Sequence, residues 1–251
     1  MSWANRRRLI YISSIVLVFL LAVVLPTILH FYQAPTCFDK KQNQGELGVD
    51  CGGPCNLLCS GGYVPLTVVW SRFSKVTDGV YNVMAYIENS NLSAGADNLN
   101  YIFRLYDEKG AILRERTGTT FVPASKIVAV FEPELLTGNE APARVDFSFT
   151  SDAVWTKQES QETGLQVSQS AISREDSAPR LSAVLTNKTI NEIKNIEAIA
   201  IIYNSEGNTV AFSRTIVDAV AGAASQTINF NWPKPFSDTY ARSQIILKIL
   251  K

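Results

Sequence analysis

The residues best placed to do chemistry lie in one short stretch. All four cysteines fall between positions 37 and 59, in CFDKKQNQGELGVDCGGPCNLLC. Cys37, Cys51, Cys55 and Cys59 are even in number and clustered, and their spacing lacks the short C-x2-C knuckles of common zinc sites. Two disulfides are the expected state, with the pairing left open among the possible connectivities. Tetrahedral zinc on four thiolates is the competing chemistry. Between the cysteines, Asp39, Asn43, Glu46 and Asp50 offer oxygen atoms at near-regular intervals, with Gly45, Gly48, Gly52 and Gly53 to turn the chain. That set is a calcium candidate without the EF-hand spacing. The alternative is a group of Asx-type turns inside a disulfide knot.

Catalytic chemistry finds little else to use. The single histidine is His30. It lies in the apolar stretch that reads as a membrane anchor, so no Ser-His or Cys-His nucleophile is expected outside the bilayer. There is no P-loop and no dinucleotide fingerprint, so no cofactor is implied. A carboxylate pair is the remaining catalytic arrangement to consider. Glu88, Asp107 and Asp146 are the candidates, although ordinary strand and turn charges account for them, and no enzyme is expected. Trp70 and Trp232 sit in β-rich runs and read as core. Trp155 and Tyr240 are the aromatics that a glycan-binding face would use. Asn91-Leu92-Ser93 and Asn187-Lys188-Thr189 are formal glycosylation sequons.

The elements that must carry these residues begin with residues 9–31, LIYISSIVLVFLLAVVLPTILHF, which contain no Asp, Glu, Lys or Arg. As a helix this stretch spans about 35 Å, enough for a hydrocarbon core of roughly 30 Å. Arg6, Arg7 and Arg8 precede it, and no positive charge follows closely. The positive-inside rule then places the N-terminus in the cytoplasm and the rest outside. Tyr11, Phe31 and Tyr32 fit interfacial positions, and Ser13 and Ser14 can bond back to the helix backbone. Pro26 is a candidate kink. The run exceeds a usual signal-peptide core and no small-x-small site follows it, so an uncleaved single-pass anchor is expected. With 23 basic and 23 acidic residues, the chain has no net field for nucleic acid.

From residue 66 onward the chain repeats at an offset of about 98 residues, which is the size of a whole domain. Ala85-Tyr86-Ile87-Glu88-Asn89 answers to Ala183-Val184-Leu185-Thr186-Asn187. Leu105-Tyr106-Asp107-Glu108-Lys109-Gly110 answers to Ile202-Tyr203-Asn204-Ser205-Glu206-Gly207. Each copy reads as short strands separated by turn signals, with Tyr101, Phe103 and Leu105 on one face of a strand and Ile102, Arg104 and Tyr106 on the other. Strands are predicted over 80–89, 99–106, 111–117, 126–131 and 144–149. Their counterparts are 181–186, 196–203, 209–217, 226–231 and 243–250. The fold class is all-β: two tandem antiparallel sandwiches after one N-terminal transmembrane helix and a small disulfide-rich neck.

Phe103-Arg104-Leu105-Tyr106-Asp107 resembles the signature of the FxLYD domain family, with Asn89 fitting the same layout. That resemblance implies small immunoglobulin-like β domains on membrane-anchored or secreted microbial proteins, and no general catalytic activity. The second copy departs from the signature, with Ala200 for the phenylalanine and Asn204 for the aspartate. The cysteine segment resembles small cysteine-rich modules of surface proteins, which implies an extracytoplasmic location.

The expected organisation is a cytoplasmic tail (1–8), a transmembrane helix in the bilayer (9–32), a cysteine-rich neck (33–62), a first sandwich (63–155), a linker (156–164) and a second sandwich (165–251). The expected function is a non-catalytic structural or protein-interaction role at the cell envelope, with an envelope or surface protein as partner. The alternative is a glycan- or cell-wall-binding module.

Overall fold

The computed structural model describes residues 3–27, 36–158 and 163–250. The chain divides into two compact units, Met1–Cys55 and Asn56–Lys251. His30, Phe31 and Tyr32, the end of the expected span, residues 33–35 of the neck and residues 159–162 of the expected linker lie outside the described residues.

In the first unit, helix α1 (Trp3–Phe19) passes into a π-helical turn at Leu20–Val24 and stays helical to Thr27. Helix α1 is described from Trp3 onward and includes Arg6, Arg7 and Arg8; the Arg7 guanidinium sits 3.8 Å from the centre of the Trp3 ring, one turn away. Every described side chain from Leu9 to Phe19 is exposed, and residues Asn5–Thr27 are long and apolar enough to cross a membrane. Ser13 and Ser14 do bond back, both donating to the Ile10 carbonyl at 3.0 and 2.6 Å. The wide π turn falls just before Pro26, whose ring would otherwise press on the carbonyl one turn back. Thr27 Oγ1 donates to the Val23 carbonyl at 2.6 Å, giving that oxygen a partner next to the proline.

In the second unit, each repeat copy folds into two antiparallel sheets. In the first, β1 (Thr67–Thr77), β2 (Val80–Glu88) and β5 (Ile127–Leu136) form one sheet in the order β1-β2-β5. The other is β4 (Ile112–Val122), β3 (Ala94–Tyr106) and β6 (Arg144–Phe149), in the order β4-β3-β6. The predicted face is correct: Tyr101, Phe103 and Leu105 enter the core with Val83, Ala85, Ile87, Val128 and Val130. The second copy repeats the order. β8 (Leu165–Ser173) and β12 (Ser225–Asn231) flank β9 (Arg180–Asn187); β11 (Thr209–Val220) and β13 (Arg242–Ile249) flank β10 (Ile193–Tyr203).

Two boundaries differ from expectation. A further strand, β7 (Val154–Lys157), pairs with the start of β3, from Ala94↔Lys157 to Asp97↔Val154. The expected linker therefore begins inside the first sandwich. Residues 56–58 of the expected neck lie against β7 in turn: Lys157 N donates to the Asn56 carbonyl at 2.8 Å and Leu58 N to the Trp155 carbonyl at 2.9 Å. A four-residue strand has too little alternation to announce itself.

The two sandwiches also bury a seam between them. Met84 from β2 and Ala129 and Phe131 from β5 pack against Ile199, Ile201 and Tyr203 from β10, Phe212 from β11 and Ile246 from β13. Phe131 and Phe212 meet edge to face, 6.0 Å between centroids. Strand β10 is consequently buried on both sides from Ile196 to Tyr203, whereas β9 alternates. Its near-continuous apolar run, IEAIAIIY, is the composition that two-sided burial requires.

Candidate functional site

In the neck, Cys37 is bonded to Cys55, and Cys51 and Cys59 are disulfide-bonded as well. The two bridges set aside the zinc reading, because a disulfide sulfur has no thiolate charge to give a metal. Cys37, Glu46 and Cys55 do bring their sulfur and oxygen atoms within 4.8 Å of one another. Glu46 Oε1 lies 3.1 Å from the Cys55 sulfur, beside the bridge.

The four calcium candidates are gathered into the same turns, but amide hydrogens already engage them. Glu46 Oε2 accepts from the backbone N–H of Asn43 at 3.3 Å and of Asp50 at 3.2 Å. Both Asp50 carboxylate oxygens accept from Lys40 N, at 3.1 and 3.0 Å. Asp39 accepts from Lys41 N at 2.9 Å and from Asn43 Nδ2 at 2.8 Å. The Asn43 amide, with the Lys41 and Thr36 backbone N–H groups, holds the Asp39 carboxyl below its ordinary range. The arrangement is that of Asx-type turns, in which side-chain oxygens cap backbone donors. Gly53 is needed here: its φ is +53° and a Cβ would run into the Gly45 carbonyl.

The signature residues of the first sandwich hold β3 and its turn. Phe103 and Leu105 are fully buried. The Arg144 guanidinium lies 4.3 Å from the Tyr106 ring centre. Asp107 Oδ1 accepts from Lys109 N at 2.9 Å and Ala111 N at 2.7 Å, closing the turn. The second copy reproduces this with other residues. Arg242 stacks 3.8 Å from the Tyr203 ring centre, and Asn204 Oδ1 accepts from Glu206 N at 3.1 Å and Asn208 N at 2.8 Å. An amide oxygen serves the turn as a carboxylate does. The Asn204 amide is left to donate to Asp238 at 2.6 Å, which holds that carboxyl low.

Asn89 and Asn187 are a second matched pair, both buried. Asn89 Nδ2 donates to the Ala94 and Pro123 carbonyls, each at 2.8 Å. Asn187 Nδ2 donates to the Asn191 carbonyl at 2.7 Å and the Val220 carbonyl at 3.0 Å. Each ties the end of one sheet to the other. Asn91, the other sequon asparagine, clamps Val64: its oxygen accepts Val64 N and its amide donates to the Val64 carbonyl, both at 2.7 Å. Both sequon amides are therefore spent on the fold.

The carboxylate candidates do not form a set. Glu88 ends β2 in one sheet, Asp107 closes its turn, and Asp146 on β6 pairs with Arg144 at 3.4 Å in the other sheet. Nor do the aromatics named for glycan binding make a platform. Trp155 is 5 % exposed and stacked on Tyr63, and Tyr240 packs against the second core. As expected, Trp232 is buried, with its indole N–H donating to the Phe212 carbonyl at 3.2 Å; Trp70 is half-buried at the edge of the seam, stacked on Tyr86.

The seam and its margin were the features missed from sequence, although the unbroken apolar run of β10 signals them. At one end of the seam is a cleft of about 490 Å³, walled by Phe121, Ile127, Val128, Leu247 and Ile249, with Lys126, Lys157 and Lys248 around it. Its two sides are β5 and β13, each the outermost strand of its sheet. Nearby, Glu197 is buried; burial raises its carboxyl pKa, opposed by the charges of Lys248 and Arg214. Burial likewise raises the Tyr101 hydroxyl, which donates to Glu132 at 2.7 Å.

No family model matches the chain, and no curated protein does. Among solved structures, red sea bream transglutaminase aligns at 15 % identity over 76 % of this chain and 30 % of its own, with a TM-score of 0.27. A β-glucuronidase from glycoside hydrolase family 2 aligns at 9 % identity over 63 % of this chain and 21 % of its own, with a TM-score of 0.21. This chain therefore spans less than a third of either protein.

Proposed function

We propose that the chain is a non-catalytic envelope protein, anchored by its N-terminal helix, that holds a rigid pair of β-sandwiches outside the cytoplasm for contact with another envelope protein. The observation that carries this reading is the buried seam. A tandem repeat joined by a loose linker is two independent beads; one that shares Phe131, Ile201 and Phe212 is a single stiff arm. The exposed apolar helix led by three arginines supports the anchor and its orientation. The finer part of the proposal is that both copies are FxLYD-type immunoglobulin-like domains of a microbial surface protein. The matched turn chemistry of Asp107 and Asn204 supports it.

The contact is assigned to the cleft between β5 and β13. Its outermost strands can accept an added strand through their main-chain groups, and its apolar walls can hold alternate side chains. This favours a protein partner over a glycan, whose proposed platform residue Trp155 is in the core. The test is a photo-crosslinking amino acid at Ile127 or Ile249 in intact cells, with captured proteins identified by mass spectrometry. The expected result is one envelope protein captured from both positions and not from Ile190, an exposed residue of the loop between β9 and β10. Capture of nothing above background, or equally from all three positions, would refute the assignment.

A further inference from the structure

The part of the neck that belongs to the first unit, residues 36–55, is built inside out. Its buried residues are Glu46, Gly52 and Cys55. Its large apolar side chains point the other way: Phe38 is 89 % exposed, Leu47 77 % and Val49 56 %. A small domain in water normally does the reverse, placing carboxylates outside and its few large apolar groups inside. Here the bridge and the Glu46 carboxylate supply the interior, and the carboxylate is satisfied by the Asn43 and Asp50 backbone N–H groups. The two apolar loops are also held side by side, since Lys40 N donates to the Asp50 carboxylate and so ties 38–40 to 49–50.

From these features we infer that Phe38, Leu47 and Val49 form a second membrane contact, seated in the interfacial layer of the leaflet where the anchor emerges. This rests on the anchor reading above. The occupant follows from the covalent chain. The apolar stretch runs to Phe31 and the knot begins at Cys37, six residues later and so within about 20 Å even when fully extended. The knot cannot move far from the headgroups, and its outward apolar groups meet the nearest apolar phase. Exposed Lys40 and Lys41 flank Phe38, where their ammonium groups can reach lipid phosphates while the stems lie along the apolar boundary. The contact would hold the knot itself against the membrane surface.

The test uses the full chain in liposomes of phosphatidylcholine and phosphatidylglycerol, doped with a lipid carrying a diazirine high on one acyl chain. After illumination, labelled residues are located by mass spectrometry. The expected pattern is label in residues 9–27 and again at Phe38, Leu47 and Val49, with loss of the neck label alone in the F38S/L47S/V49S variant. Label in the anchor with none in 36–50 of the unaltered chain would overturn the neck contact and leave the anchor standing. No label in either, with protein that fails to float with the vesicles, would overturn both. The unaltered chain decides these outcomes, so they do not depend on the variant folding.

Discussion

Two adjacent residues on β10 separate a rigid arm from a pair of beads. Ile201 and Ile202 are both 0 % exposed, but they face opposite ways: Ile202 enters the core of the second sandwich and Ile201 the seam. Truncating a fully buried isoleucine costs about 2–5 kcal/mol, from lost transfer free energy and the cavity left behind. Ile202→Ala should fall in that range whatever the domain arrangement. Ile201→Ala should do the same only if the seam persists in solution. With the sandwiches apart, Ile201 would sit on a solvated sheet face, where a substitution stays within about 0.5 kcal/mol. The assay is urea unfolding of the full chain in detergent micelles, followed by tryptophan fluorescence. Trp70 and Trp232 report from the seam edge and the second core. The seam predicts comparable midpoint shifts for both variants and one shared transition. A near-silent Ile201→Ala beside a damaging Ile202→Ala would show that the sandwiches do not share a buried face, and the proposed arm would fail with it.

Other consequences can be checked in the same way. Asp107→Asn keeps an oxygen for Lys109 N and Ala111 N and should leave the urea midpoint nearly unchanged, while Asp107→Ala should cost about 1–2 kcal/mol by removing that acceptor. Asn187→Ala strips the donor from the Asn191 and Val220 carbonyls at a buried corner and should cost about 1–3 kcal/mol in the same assay. The raised Glu197 carboxyl means that the folded state holds its proton to higher pH than the unfolded chain does. Its contribution should favour folding below the ordinary carboxyl range and decline as pH climbs from there through the raised value. Glu197→Gln should flatten that part of a stability-against-pH curve measured by urea midpoints; an unchanged slope would contradict the burial. Reducing the bridges should release about 3 kcal/mol of loop-closure stabilisation in the neck. Hydrogen exchange should quicken in 36–55 and hold steady in the cysteine-free strands of both sandwiches.

The local architecture was legible in the chain. Alternation in β3 put Phe103 and Leu105 on the inner face, the 98-residue echo announced two copies of one domain, and Asp107 and Asn204 marked matched turns. Each of these is written in the spacing of neighbouring residues, because strand pleat and turn geometry repeat over a few positions. What covers a face once it is apolar was set by packing between distant segments. β10 shows a two-sided apolar run, but which surface closes its outer side depends on residues some 70 to 120 positions earlier in the chain. The same is true of β7, which is a strand because β3 offers it an edge, and of the Cys37–Cys55 pairing, which spacing left open. The candidate calcium oxygens were visible in the sequence, but their occupation by backbone and side-chain N–H groups was not. That depends on which turns the bridges bring together, and a through-space contact of that kind leaves no period in the sequence.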